Sequence, residues 1–256
     1  HCTLSRPQPL FVFDSVFAVD LQNEPHASSW AKGDDKDWGH AAERLGNHVL
    51  RKCSRLLIFV EGVGYEPGSK GMDNAGDGIW WGENLHGVKM QPVALDDQSK
   101  LVYSPHTYGP SVYAQGYFSD RGFPGNMGAI WKSRFDFVRE QTGCPVVIGE
   151  MGGFYTGKDK VWQDWAIGYM RDNGLGVFYF ALGPESDDTG GLLDADYISL
   201  DERKLALLAQ LPSTEVGPLH VENAFPAPPP IPMPPPMPPP PRPSPPSRRC
   251  PHPGRR

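Results

Sequence analysis

Two glutamates stand where a carboxylate could do chemistry. The stretch Val16–His26 reads VFAVDLQNEPH. Val16, Phe17, Ala18, Val19 and Leu21 form an apolar run too short for a stable helix, and Asn23, Glu24 and Pro25 end it abruptly. This reads as a buried strand tipped by Asn23 and Glu24. Pro25 biases Glu24 toward extended backbone, which would set its carboxylate on a fixed ledge. Cys144–Gly153, CPVVIGEMGG, repeats the pattern with Glu150 at a strand end. Two strands that each deliver one carboxylate to the same end of a sheet predict paired-carboxylate chemistry.

The rest of the sequence supplies elements to hold such a pair. A helical pattern runs through Ala41, Ala42, Leu45, His48, Val49 and Leu50, and Arg55–Val60 is the next strand, followed by Glu61. Strand, helix, strand is the unit of an α/β fold with a parallel sheet. Residues 62–98 form a glycine-rich, aromatic loop with Trp80 and Trp81, of the long kind that more often lines a functional face than fills space. Leu101–Ser104 ends in Pro105, His106, Thr107 and Tyr108. Helices are expected over Ile130–Val138, Lys160–Asp172 and Asp201–Leu211, with Trp131, Trp162 and Trp165 in the core and Gly174 as a stop. Strands are expected near 17–21, 56–60, 101–104, 146–149 and 177–181, and four of the five end in a polar residue. Polar residues at the C-terminal ends of successive parallel strands predict a (β/α)8 TIM barrel, of which five strands would be present and three would lie upstream.

Composition sets the limits. Within the 256 residues, 15 of the 21 from Pro226 to Pro246 are proline, so no helix or strand interior is expected there. The expected organisation is a linker or barrel remnant over 1–11, a partial barrel over 12–223, and a proline-rich tail over 224–256. The tail carries five arginines and no acid, which leaves −11 for the rest out of a net −6. That charge disfavours a nucleic-acid partner. No stretch approaches a membrane span, and the start HCTLSRPQPL shows neither Met nor a long apolar leader. Cys2, Cys53, Cys144 and Cys250 have no metal-type spacing, and their even number permits three pairings.

Taken together, the motifs resemble glycoside hydrolase family 5, the cellulases of clan A, from the fourth barrel strand onward. The matching pieces are Asp20–His26 (DLQNEPH), Leu57–Gly62 (LIFVEG), Trp80–Leu85 (WWGENL), Leu101–Pro110 (LVYSPHTYGP), Val147–Gly153 (VIGEMGG) and Asp188–Leu193 (DTGGLL), spread over about residues 12 to 210. The resemblance implies a retaining endo-type hydrolase of β-1,4-glucans, with Glu24 as acid/base, Glu150 as nucleophile, and neither metal nor organic cofactor. It places Asn23, His106 and Tyr108 on the substrate side, where Phe180 keeps an aromatic face; Trp80 and Trp81 either stack on sugar rings or plug their loop, and His26 either faces substrate or caps the turn after Pro25. His106 would orient its neighbours rather than move protons, and Glu61 would be a supporting hydrogen-bond acceptor. Retention needs the two carboxyls about 5–5.5 Å apart, and at that spacing they cannot both ionise cheaply, so one keeps a proton.

The sequence also departs from the family. The Trp-rich end of the eighth strand is replaced by Tyr179-Phe180-Ala181-Leu182-Gly183-Pro184, which removes stacking area, and Asp187 stands where glycine is usual, a cost if that turn needs positive φ. The alternatives are therefore a catalytically weak carbohydrate-binding relative, or a mannan-cleaving member. A β-glucan or its oligosaccharide is the expected partner and a monomer the expected state, outside the cell or in its wall. The tail resembles the proline-rich stalks of plant and algal wall proteins, which makes the wall matrix a second candidate partner.

Overall fold

The computed structural model describes residues 16–64 and 78–213. By its internal contacts the chain divides into His1–Leu219 and His220–Arg256. The readings made for the linker, the proline-rich tail, Cys2 and Cys250 lie outside the described residues.

Five strands are present among the described residues: β1 (Ala18–Asp20), β2 (Leu57–Val60), β3 (Leu101–Tyr103), β4 (Val147–Met151) and β5 (Gly176–Tyr179). All their pairings are parallel. Ala18 faces Leu57 and Ile58 faces Leu101 across the first three strands, and Val147 faces Gly176 across the last two. Parallel bridges from Tyr103 to Val146 and from His106 to Glu150 continue the order from β3 to β4. Spatial order thus follows chain order, as in a barrel wall.

The connections are helical where the sequence is periodic. Helix α1 (Trp38–Lys52) begins at Asp37, whose carboxylate accepts from the His40 backbone N–H, and ends with Arg51 and Lys52 against the negative end of its dipole. The expected third connection starts earlier and runs further than its apolar pattern: α2 (Met127–Trp131) passes through a π-helical turn (Lys132–Asp136) into α3 (Phe137–Thr142), which stops at Gly143 with φ +73°. Helix α4 (Gly157–Asp172) precedes β5, and α5 (Glu202–Leu208) is capped by Asp201.

Trp131 and Trp162 are fully buried and meet edge to face with ring centroids 6.2 Å apart. Burying a ring of this size contributes roughly 1.5–3 kcal/mol or more. Trp165 corrects the expectation made from spacing alone. It is 42% exposed, because the buried stripe of α4 runs through Trp162, Gln163, Ala166, Ile167 and Met170 and leaves position 165 outside it. On the opposite side of the sheet, Phe17 and Phe178 are exposed beside a cavity of about 460 Å³ that also touches Asp20, Phe59, Glu61 and His106.

Candidate active site

The strand ends converge. Glu24 follows β1, Glu61 follows β2, His106 and Tyr108 follow β3, and Glu150 lies within β4. His106 is 2% exposed and sits between acids: its Nδ1 lies 3.0 Å from Glu24 Oε1 and 3.4 Å from Glu150 Oε2, and its Nε2 lies 3.3 Å from Glu61 Oε1. The Tyr108 hydroxyl donates to Glu150 Oε2 at 2.5 Å. Burial, together with that bond and the nearby carboxylates, pushes the Tyr108 phenol far up, so it remains a donor.

The backbone at Glu24 differs from the extended form that Pro25 favours. Its φ is +48°, a left-handed conformation costing about 1–3 kcal/mol for a non-glycine residue. The compensating contact is long-range: Glu24 N–H donates to Glu61 Oε2 at 3.0 Å. Gly82 keeps the room this needs, since with φ +78° a Cβ there would strike the same Glu61 oxygen. Below Glu150, Gly149 packs on Ser104 and His106 so closely that a Cβ would sit 2.9 Å from the Ser104 carbonyl.

Above the acids opens a cleft of about 740 Å³, lined by Asn23, Glu24, Trp81, Tyr108, Glu150 and Phe180 together with Tyr113, Gln115 and Asp188. His106 is not among the lining residues and lies beneath the carboxylates. His26 sits behind Trp81, stacked on its ring at 4.0 Å with 21° between planes. The two adjacent tryptophans divide the roles left open by sequence: Trp80 is 8% exposed and packs edge-on to Tyr108, whereas Trp81 is 53% exposed at the cleft. Asp187 meets no backbone penalty, because the non-glycine residues with positive φ among those described are Glu24, Ala31, Tyr155 and Tyr197.

Sequence reasoning gave no role to Glu83. It is fully buried, accepts from Arg134 at 2.7 Å, and takes the Thr107 hydroxyl at 3.1 Å and the Trp80 N–H at 3.1 Å. Asp20, also unassigned, accepts from Ser104 Oγ at 3.0 Å, and its burial raises its carboxyl. An acid inside an otherwise apolar or glycine-rich run was the available signal in both cases. For a cation, the described residues offer one cluster: one atom each from Glu24, His106 and Glu150, all within 4.8 Å of one another. The His106 atom facing both acids is already engaged with them.

The same 4.8 Å limit brings an oxygen of Glu24 and an oxygen of Glu150 close together across the cleft floor. Compared with known proteins, residues 11–186 match the model of the cellulases, glycosyl hydrolase family 5. The chain belongs to that family. An endoglucanase of Paenibacillus polymyxa is 39% identical over 202 residues, covering 77% of this chain and 50% of the relative. The major extracellular endoglucanase of Xanthomonas campestris pv. campestris is 39% identical over 203 residues, covering 77% and 40%. The chain thus spans half or less of the length of these curated relatives. Among solved structures, a hyperthermostable endocellulase superposes with a TM-score of 0.71 at 39% identity, covering 76% of this chain and 57% of the other. An endocellulase of Pyrococcus horikoshii, solved as a glutamate-to-alanine variant with cellotetraose, gives 0.70 at 38% identity with the same coverage. The family fold is the (β/α)8 barrel, and the five parallel strands here form part of one.

Proposed function

We propose that this chain carries the cleavage site of a retaining endo-β-1,4-glucanase that works outside the cell. The observation that carries the reading is the carboxylate pair at the cleft floor, with an oxygen of Glu24 and one of Glu150 inside 4.8 Å. That is the short spacing of retaining glycosidases, whereas inverting enzymes leave about 6.5–9.5 Å for a water. In this reading Glu150 attacks the anomeric carbon while Glu24 gives its proton to the leaving oxygen. Water, deprotonated by Glu24, then releases the sugar from Glu150. Tyr108 fixes one Glu150 oxygen by its 2.5 Å hydrogen bond and leaves Oε1 to attack.

The glucan substrate is supported by the cleft's exposed Trp81 and Phe180 faces, which suit sugar rings, and by the cellotetraose held in the Pyrococcus relative. The extracellular site of action is supported by the Xanthomonas relative's name. A binding-only reading is favoured by Phe180 and Leu182 in a segment where the family usually carries tryptophan. Trapping decides between them. Incubation with an activated 2-fluoro-cellobioside and peptide mass mapping should find the sugar esterified to Glu150. Saturable binding of cellotetraose with no covalent label and no reducing sugar released from barley β-glucan would replace the glucanase by the binding module.

A further inference from the structure

The backbone of Glu24 and the ring of His106 meet at one buried side chain that the chemistry above does not use. Glu61 is 1% exposed. One of its oxygens accepts the Glu24 N–H, and the other faces His106 Nε2 at 3.3 Å. We propose that Glu61 is a positioning residue for both reacting carboxylates, acting on Glu24 through its backbone N–H and on Glu24 and Glu150 together through the tautomer of His106.

His106 Nδ1 faces Glu24 Oε1 and Glu150 Oε2; the latter already accepts from Tyr108, and the proton that Glu24 gives to the leaving oxygen belongs on its other oxygen, so both facing oxygens accept. Nδ1 therefore carries the ring proton and donates to the pair. The Nε2 lone pair must then receive a hydrogen, and the atom placed to give one is Glu61 Oε1. A carboxylic acid satisfies both neighbours at once: its carbonyl accepts from Glu24 N–H and its hydroxyl donates to Nε2. The charged surroundings favour the same form. Facing Glu61 are Asp20 and Glu24 from the end of β1, His106 from the end of β3 and Glu150 from β4, three of the four being acids. Burial, followed by Asp20, pushes the Glu61 carboxyl up to about 9. On its own segment, the Gly62 N–H bonded to Gly82 and the Glu61 carbonyl accepting from Trp38 Nε1 at 2.8 Å fix the backbone from which the side chain reaches these partners.

The proposal rests on the glucanase reading for its kinetic test alone, and a second measurement stands free of it. Wild type, Glu61→Ala and Glu61→Gln of the full chain are assayed on barley β-glucan at neutral pH. Loss of the anchor should lower kcat of Glu61→Ala by about 100-fold with little change in KM, as expected when a reacting group is misplaced. Glutamine reproduces the neutral acid, its carbonyl accepting from Glu24 and its N–H donating to Nε2. Glu61→Gln should recover kcat to within about tenfold of wild type. Wild-type kcat in the alanine variant, or a glutamine variant as slow as alanine, overturns the proposal. In parallel, the imidazole ¹⁵N shifts of His106 are read in the wild type. The expected result is a neutral ring protonated at Nδ1. A ring protonated at Nε2, or at both nitrogens, overturns the proposal with or without turnover. A chain that shows the Nδ1 form but cleaves no glucan overturns the glucanase reading and leaves the positioning role standing.

Discussion

At the residue scale, the site is a set of acids made unequal by what touches them. Glu150 takes a hydrogen bond from a phenol that burial keeps protonated. Replacing Tyr108 by Phe removes one fixed donor from Glu150, the proposed nucleophile, and kcat on β-glucan should fall on the order of 100-fold, measured by reducing-sugar release. Glu150→Gln should cost far more, on the order of 10⁴-fold in kcat, with cellotetraose affinity from calorimetry little changed. Glu61 gives a prediction in stability as well. Its proton is held in the folded state up to about 9, whereas the unfolded chain releases it in the ordinary carboxylate range. Between those limits the folded state binds more protons, so this group makes stability fall as pH rises. Glu61→Gln should therefore gain melting temperature relative to wild type, by more at alkaline than at mildly acidic pH; an equal difference at both would mean Glu61 ionises in the fold.

At the element scale, the strand end that delivers His106 and Tyr108 is held by a clamp from two other segments. Glu83, in the loop after β2, pairs with Arg134 in the π-helical turn and accepts the hydroxyl of Thr107, which in turn accepts the Trp131 indole N–H at 3.2 Å. The pair stands away from water, and burial raises the Glu83 carboxyl even beside its guanidinium. Breaking one partner strands the other. Arg134→Met should cost about 3–5 kcal/mol in urea unfolding, and the double variant Glu83→Gln/Arg134→Met should recover a measurable part of it. If the single and double variants lose equally, the arginine acts through packing on Tyr117 rather than through charge. The π-helical turn fits this arrangement, since it carries Arg134 inward together with the buried Phe135 and Asp136.

At the scale of the whole molecule, charge bears on substrate choice. The chain is net −6, and three of the acids in that sum, Glu24, Glu150 and Asp188, line its cleft. An acidic cleft concentrates neutral chains no differently from bulk but repels anionic ones. With carboxymethyl cellulose, kcat/KM should rise between low and physiological ionic strength as the repulsion is screened, while with barley β-glucan it should stay level. A parallel rise on both polymers would trace the effect to the fold and not to the cleft.

Much of this was legible in the sequence, for a definite reason. Short apolar runs bounded by Pro, Gly and acids read as strands with polar tips, so local pattern gives the five strands and their order, with Glu24, His106 and Tyr108 just past strand ends and Glu150 one residue before the end of β4. The catalytic-type pairing needed only that parallel strands end at the same side. What the tertiary structure alone decided depends on contacts between residues far apart in the chain. The left-handed backbone of Glu24 runs against the bias of Pro25 because a carboxylate 37 positions later accepts its N–H. The separation of Trp80, buried on Tyr108, from Trp81, open to the cleft with His26 behind it, follows from which face of one loop meets β3 and which meets the turn after β1. The use of Glu83 and Glu61 as buried supports is invisible to spacing, because a buried acid and a solvated one carry the same letter. Only their partners, supplied by folding, set the charge they keep.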